Sequence, residues 1–317
     1  MKILANDGLH PSGIKQLEEA GHQVDTTTVS ASQLINYINE HQIKVVLVRS
    51  ATQITKTLID QCPSIKMIGR GGVGMDNIAV AYAESKGIKV VNTPDASARA
   101  VAELSFAHIL SGARYLYDAN RNMPLEGDTN FKDLKKSYST GTELKGKTLG
   151  VFGFGNIGKE TAKIGLSMGM NVMFYDPEIQ KATLELSFYN NQKISFELEV
   201  STKEEVLKKA DFISLHIPAQ DSYCLDKEAF KLMKKGVGIV NTARGSAMDE
   251  VALIAHLDNG TVGFAGLDVF ESEPKPEIQI LMHPNISLSP HIGAATLEAQ
   301  EKIGISLANQ ILNFVHD

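Results

Sequence analysis

Thr148-Leu149-Gly150-Val151-Phe152-Gly153-Phe154-Gly155-Asn156-Ile157-Gly158 is the stretch from which the fold of this chain follows. The apolar run 148–152 reads as a buried strand, and 159–169 continues with helical periodicity, so the three glycines fall at a strand-to-helix turn. Gly153 permits the tight turn, Gly155 lets a pyrophosphate approach the backbone, and Gly158 lets the helix, led by Asn156 and Ile157, pack close to the strand. The helix N-terminus then faces an anion. A glycine triplet alone is a weak signal, and its position between strand and helix is what lends it weight. The next apolar run, 171–175, ends at Asp176, eighteen residues beyond Gly158. A carboxylate there grips a ribose diol and repels a 2′-phosphate, which favours NAD over NADP.

Outward from this unit the same alternation continues. Short β-branched runs at 212–216 (FISLH), 238–241 (GIVN), 262–269 and 286–288 follow it, and runs at 44–48 (KVVLV), 66–69 (KMIG) and 89–92 (KVVN) precede it, with helical segments between. Parallel strands joined by crossover helices have this pattern, so the class is α/β with two doubly wound parallel-sheet domains, the length of 317 residues being enough for both. Residues 97–121 read as one long helix, 120–146 as a polar, irregular surface arm, 187–200 (SFYNNQKISFELEV) as a two-stranded hairpin turning at Asn190-Asn191, and 297–315 as a final amphipathic helix.

Composition narrows the function. Thirty-one Lys and Arg stand against 37 Asp and Glu, a net charge of −6, so no basic surface for nucleic acid is expected. Hydrophobic residues make up 43% and charged residues 21%, values ordinary for a globular protein. Cys62 and Cys224 are the two cysteines, far apart and in no metal-ligand spacing, which argues against a structural metal or a disulfide framework and for a reducing compartment. The start, Met1-Lys2-Ile3-Leu4-Ala5-Asn6-Asp7, soon turns polar, and no stretch has the apolar length of a membrane span. The expectation is a cytoplasmic protein without signal peptide, anchor or membrane partner.

The reacting groups must come from outside the glycine turn. Arg244, in Asn241-Thr242-Ala243-Arg244-Gly245, follows the strand that ends near Val240; strand C-termini are where ligands meet an open α/β sheet, and a guanidinium there can fork onto a carboxylate. Glu273, in Glu271-Ser272-Glu273-Pro274, follows the strand leading to Asp268. His291, in Ser289-Pro290-His291-Ile292-Gly293, follows the strand 286–288. Each alone reads as an ordinary exposed or loop residue. Together, a carboxylate that orients an imidazole, an arginine for an α-carboxylate and a nicotinamide that takes hydride make a complete hydroxy-acid dehydrogenase. His216, before Ile217 and Pro218, is the competing histidine; no carboxylate neighbours it in sequence, so it reads as lining the cofactor groove.

These motifs, GFGNIG with Asp176, NTARG with Arg244, GLDVFESEP with Glu273 and SPHIGAAT with His291, resemble the D-isomer-specific 2-hydroxyacid dehydrogenase family nearly end to end. The resemblance implies a Rossmann NAD-binding domain, 97–289, inserted into a smaller flavodoxin-like substrate domain made of 1–96 and 290–317, with the active site in the cleft between. It implies that His291 takes the C2 hydroxyl proton, Glu273 supports the imidazolium, and Arg244 holds the carboxylate. Arg49 and Ser50, in VRSAT, and Arg70, Gly71 and Gly72, in GRGGVGMDN, would bind the rest of the substrate, two cations suiting a phosphorylated one. Val73, Asn156, Ile157, Asp176, Ile217, Thr242, Ala243, Asp268 and Ala294 occupy positions similar to the family's NAD contacts. A homodimer through the long helix and arm is implied, with Lys135 and Lys136 reaching the other subunit's phosphate site. The leading reaction is oxidation of 3-phospho-D-glycerate to 3-phosphohydroxypyruvate. The alternatives are a hydroxypyruvate, glyoxylate or D-lactate type reductase and an NAD-sensing corepressor. The sequence departs from the family pattern between Asp176 and His216, which is long by the hairpin, and in 218–225, which is short and lacks the usual threonines. Because the chain ends soon after 297–315, the regulatory domain of many phosphoglycerate-oxidising relatives is expected to be absent.

Overall fold

A computed structural model describes residues 1–316, and the chain divides into two compact units, Met1–Ala100 with Ala294–Asp317, and Val101–Gly293. In the first unit, β1 (Lys2–Ala5), β2 (Gln23–Asp25), β3 (Val45–Val48), β4 (Met67–Arg70) and β5 (Lys89–Asn92) form a parallel sheet in the order β2-β1-β3-β4-β5. A central strand of such a sheet is covered on both faces, which is why β3 is apolar without alternation and buried throughout. Leu4, Val46 and Ile68 face Leu34, Ile38 and Leu58. Ile3, Val45, Leu47 and Met67 face the other way, onto Ile303, Leu307 and Ile311 of the C-terminal helix Leu297–His316. That helix crosses the helix Pro11–Glu19 so closely that a Cβ on Gly13 would lie 2.5 Å from the Gly304 carbonyl oxygen.

The second unit holds β6 (Thr148–Phe152), β7 (Asn171–Tyr175), β8 (Lys181–Ser187), β9 (Lys193–Glu199), β10 (Phe212–Leu215), β11 (Val237–Asn241), β12 (Val262–Leu267) and β13 (Ile286–Leu288). Six of these form a parallel sheet in the order β13-β12-β11-β10-β6-β7, and β8 and β9 pair separately as an antiparallel hairpin. The fold is therefore α/β, with two doubly wound parallel sheets. The order reverses between β6 and β10, and this is the switch point at which an open sheet binds ligands beyond its strand C-termini. The register levels the strand ends. Phe152 pairs with Tyr175 and Leu215, Leu215 with Asn241, Asn241 with Leu267, and Leu267 with Leu288. The residues that follow, Gly153, Asp176, His216, Thr242, Asp268 and Ser289, accordingly begin their loops along one rim.

Three elements differ from the sequence reading. The long helix ends at Ala113, because Tyr115 takes a left-handed φ of 55°, and a new helix, Leu116–Glu126, begins after it. The arm is helical rather than irregular. Asp118 and Asn122 bond to the Tyr138 hydroxyl at 2.8 and 2.9 Å, which ties Leu116–Glu126 to the helix Phe131–Ser137 despite the Pro124 inside the former. The hairpin turns at Asn190 and Asn191 as read, Asn191 having φ 63°, but its first strand starts six residues earlier, at Lys181. There Ala182, Leu184 and Leu186 alternate with polar residues, and Leu184 is fully buried in the core formed with Phe154 and Phe174. Among the described residues no helix is long and apolar enough to cross a membrane.

Candidate active site

The turn after β6 is built as a cradle. Gly153 has a φ of 86°, and a Cβ there would fall 2.4 Å from the His216 carbonyl oxygen; one on Gly158 would fall 2.1 Å from that of Gly153. Both glycines are demanded by packing. Gly155, in contrast, has no atom within 4 Å of its would-be Cβ and is exposed, as is Asn156, so the middle of the turn offers bare backbone to a ligand. The helix Asn156–Ser167 starts there with no side-chain cap, and its positive N-terminal end suits an anion. Ile157 lies half-buried in its first turn. Phe154 is pinned beneath by stacking on Phe174, ring centroids 3.8 Å apart.

Asp176 closes one end of this turn. Its Oδ2 accepts from Phe154 N at 2.7 Å, and its Oδ1 accepts from Glu178 N and Ile179 N at 2.9 and 3.0 Å. Burial pushes its pKa up, but these backbone donors and nearby Lys159 outweigh burial and hold it below the usual carboxylate range. A fixed negative charge at the end of β7 suits a ribose diol. At the other side of the switch point His216 Nε2 meets Ser214 Oγ at 2.9 Å, while its buried Nδ1 has no hydrogen-bond partner. Burial pushes its pKa down to about 3. A ring neutral through the physiological range does not suit an acid–base role, and Ile217, buried, and Pro218, exposed, carry the chain on from it. Bare glycine backbone, an uncapped helix start and an ionised aspartate together fit a dinucleotide.

Arg244, Glu273 and His291 follow three neighbouring strands, β11, β12 and β13. His291 Nδ1 lies 2.9 Å from Glu273 Oε2, and Glu273 Oε1 accepts from Phe270 N at 3.0 Å, so the carboxylate is held by its own turn while it orients the ring. The turn is itself braced: Glu250 Oε1 accepts from Glu271 N, and Glu271 Oε1 accepts from Glu250 N, both at 2.9 Å. Burial pushes the Glu250 carboxyl pKa up. The arginine loop is clamped by Asn241, whose side-chain amide donates to Arg244 O at 2.8 Å and whose oxygen accepts from Ala243 N at 3.1 Å. Arg244 Nη1 donates to Ala243 O at 2.7 Å. Thr242 meets Ser105 across a 2.8 Å hydroxyl contact. The loop approaches the glutamate turn so tightly that a Cβ on Gly245 would lie 2.0 Å from the Phe270 carbonyl oxygen.

Asp268, placed among the cofactor residues in the sequence reading, has its carboxylate directed at the histidine loop: Oδ1 accepts from Ser289 Oγ and Ile292 N at 2.6 and 2.8 Å, and Oδ2 from Gly293 N at 2.8 Å. The first unit carries Arg49, Ser50, Arg70, Gly71, Gly72, Val73 and Ala294. Asp7 accepts from Arg49 N and Thr52 N, and Asn77 donates to Arg49 O, so the loop after β3 is fixed around its arginine. Ser50 is exposed on it. Arg70 folds over Gly72, where a Cβ would lie 1.9 Å from its Nη1, and Gly71 packs beside Arg49 and Ile303. Asn241, Ser289, Glu250 and Glu271 escaped the sequence reading. A polar side chain ending an otherwise apolar run, as Asn241 does after Val237, Ile239 and Val240, is the signal that could have found the first.

The chain belongs to the D-isomer specific 2-hydroxyacid dehydrogenase family, whose NAD binding domain matches residues 106–293. NAD is the cofactor of that domain. It is 41% identical over 98% of its length to a D-3-phosphoglycerate dehydrogenase of Methanocaldococcus jannaschii, of which it spans 57%. It is also 41% identical over 91% of its length to a hydroxypyruvate reductase of Thermotoga maritima, of which it spans 90%. Among solved structures, the NAD+-bound 3-phosphoglycerate dehydrogenase of Entamoeba histolytica superposes with a TM-score of 0.77 at 27% identity, over 100% of this chain and 96% of that one.

Proposed function

We propose that the chain catalyses NAD-dependent oxidation of 3-phospho-D-glycerate to 3-phosphohydroxypyruvate, the first step of L-serine biosynthesis. The observation that carries the chemistry is the 2.9 Å contact between His291 Nδ1 and Glu273 Oε2 at the strand ends of a dinucleotide-binding unit. When bound, NAD supplies the hydride acceptor. The side chains supply the rest. With Nδ1–H donated to the glutamate, His291 keeps Nε2 as the base that takes the C2 hydroxyl proton, and the Glu273 carboxylate stabilises the imidazolium that results. Arg244 holds the α-carboxylate and draws electron density toward C2 oxygen in the reverse direction. Arg49, just after β3, and Arg70, the last residue of the adjacent β4, supply two positive charges for the phosphate.

The phosphorylated substrate is supported by these two arginines and by the Methanocaldococcus relative. The Thermotoga relative favours a second reading, reduction of hydroxypyruvate or a similar unphosphorylated acid. NADH oxidation with 3-phosphohydroxypyruvate, hydroxypyruvate, glyoxylate and pyruvate separates the two. The expected result is a kcat/KM at least about tenfold higher for the phosphorylated acid, falling in Arg49→Ala by loss of one charged pair worth about 1.5–3 kcal/mol. Preference for an unphosphorylated acid, indifferent to Arg49→Ala, would keep the chemistry and overturn the substrate. We also assign a homodimer contact to the exposed Leu110, Leu116, Met123, Leu125 and Phe131, which lie on three successive helices.

A further inference from the structure

We propose that His108 is a positioning residue that acts through Ser289 and Asp268 to hold the loop carrying His291. The inference rests on the reading of His291 as the proton carrier. His108 lies on the helix Ala98–Ala113 and is a buried polar side chain. It packs tightly on the sheet: a Cβ on Gly266 of β12 would lie 2.5 Å from the His108 Cβ. Its Nδ1 meets Ser287 Oγ and its Nε2 meets Ser289 Oγ, each at 2.9 Å. The two serines flank Leu288, the last residue of β13.

The hydrogen positions follow from counting. Ser289 Oγ donates its one proton to Asp268 Oδ1, so toward His108 it can only accept, and Nε2 must carry the ring proton. Nδ1 then accepts from Ser287 Oγ. Burial, opposed by the charge of Asp268, lowers the pKa of His108, in keeping with this neutral tautomer. Asp268 is 1% exposed and passes the order on, accepting from the amides of Ile292 and Gly293. His291 sits between the two anchored ends, Ser289 and Ile292, and holds a left-handed φ of 54°. An L residue other than glycine adopts that conformation at a cost, so the loop needs its flanks fixed to keep the imidazole on Glu273. Without the His108 donor, Ser289 is free to turn its hydroxyl and Asp268 loses a partner that orients one oxygen.

The test compares His108→Leu with His108→Gln, whose amide can still donate to Ser289. Two quantities are read: hydrogen exchange of the Ile292 and Gly293 amides in the protein without cofactor, and turnover of the preferred keto acid with NADH. In His108→Leu, exchange at these amides should rise about tenfold while amides of β6 and β10 keep their rates, and kcat should fall about tenfold with NADH affinity unchanged. His108→Gln should restore most of both. Unchanged exchange in a folded His108→Leu, or a glutamine variant no better than leucine, overturns the proposal. Should His108→Leu fail to fold, Ser289→Ala removes the bridging hydroxyl, and unchanged exchange at 292 and 293 in that variant overturns it equally. Failure of the parent protein to reduce any keto acid counts against the His291 reading instead, and the exchange comparison still decides the brace.

Discussion

His291 and Glu273 are partly exposed, with 45% and 37% of their side-chain surface accessible, so their pairing owes little to a low-dielectric interior. Its value is geometric. An exposed ion pair contributes little to folding, whereas in the proposed reaction a fixed imidazole tautomer would serve every turnover. Replacing His291 with alanine should therefore abolish hydride transfer, a loss of at least about a thousandfold in kcat, and leave NADH binding and thermal stability close to those of the parent. Stopped-flow absorbance of NADH and a fluorescence titration check the two halves, and normal turnover in the variant would remove His291 from the reaction. His216 illustrates the opposite arrangement. A ring held neutral by burial, with one nitrogen on Ser214, is poorly suited to proton exchange.

The hairpin β8–β9 is an element with two unlike faces. Lys181–Glu197 and Lys193–Glu185 pair across its outer surface, while Ala182, Leu184 and Leu198 lie against the core that also holds Phe154 and Phe174. Solvent screens the outer pairs, and side-chain entropy opposes them. The inner face anchors the hairpin by excluded apolar surface. Leu184→Ala should accordingly destabilise the second unit by about 2–4 kcal/mol, seen as a lower urea midpoint, whereas Lys181→Ala should leave the midpoint unchanged. Equal effects of the two substitutions would mean the charged face holds the hairpin. Because Phe174 bridges to Val200 and lies two residues before Asp176, the same packing supports the strand end that carries the Asp176 carboxylate.

For the whole molecule, histidines whose pKa values burial lowers contribute to the response to mild acid. His216 and His108 both have native pKa values lowered by burial, that of His216 to about 3 from an ordinary 6.5. Below pH 6.5 the unfolded chain binds protons that the native state refuses, so the unfolded state gains and stability falls as pH drops from about 7 toward 4. Asp176 and Asp211 have lowered native values and extend the loss below the unfolded carboxylate range. Urea midpoints measured between pH 8 and 4 should fall monotonically, and His216→Gln should flatten the upper part of that fall. A midpoint that rises on acidification would show that other groups govern the balance. Neither cysteine enters it: Cys62 and Cys224 are buried, which raises both thiol pKa values and keeps them as packing atoms.

Residue type and spacing settled the α/β class, the glycine turn, Asp176 and the loops bearing Arg244, Glu273 and His291, because strand periodicity and turn chemistry act over a few neighbours and are written locally. The arm between Asn120 and Gly146 was opaque for the opposite reason. Its helices depend on Asp118 and Asn122 finding Tyr138, sixteen to twenty residues away, and on Leu134 finding cover, and no short window contains those partners. The early start of the hairpin was missed likewise, since the weak alternation of 181–187 acquires meaning once Leu184 has a core to enter. The same holds at the site. Sequence names His291 and Glu273 eighteen residues apart, but their 2.9 Å contact, the turn of Asp268 toward the loop at 292–293 and the insertion of His108 behind Ser289 required the register of β11, β12 and β13, which aligns their ends on one rim. Local propensity writes elements into the chain; contacts between distant residues, which exist only after burial has ordered the sheet, decide which side chains face each other.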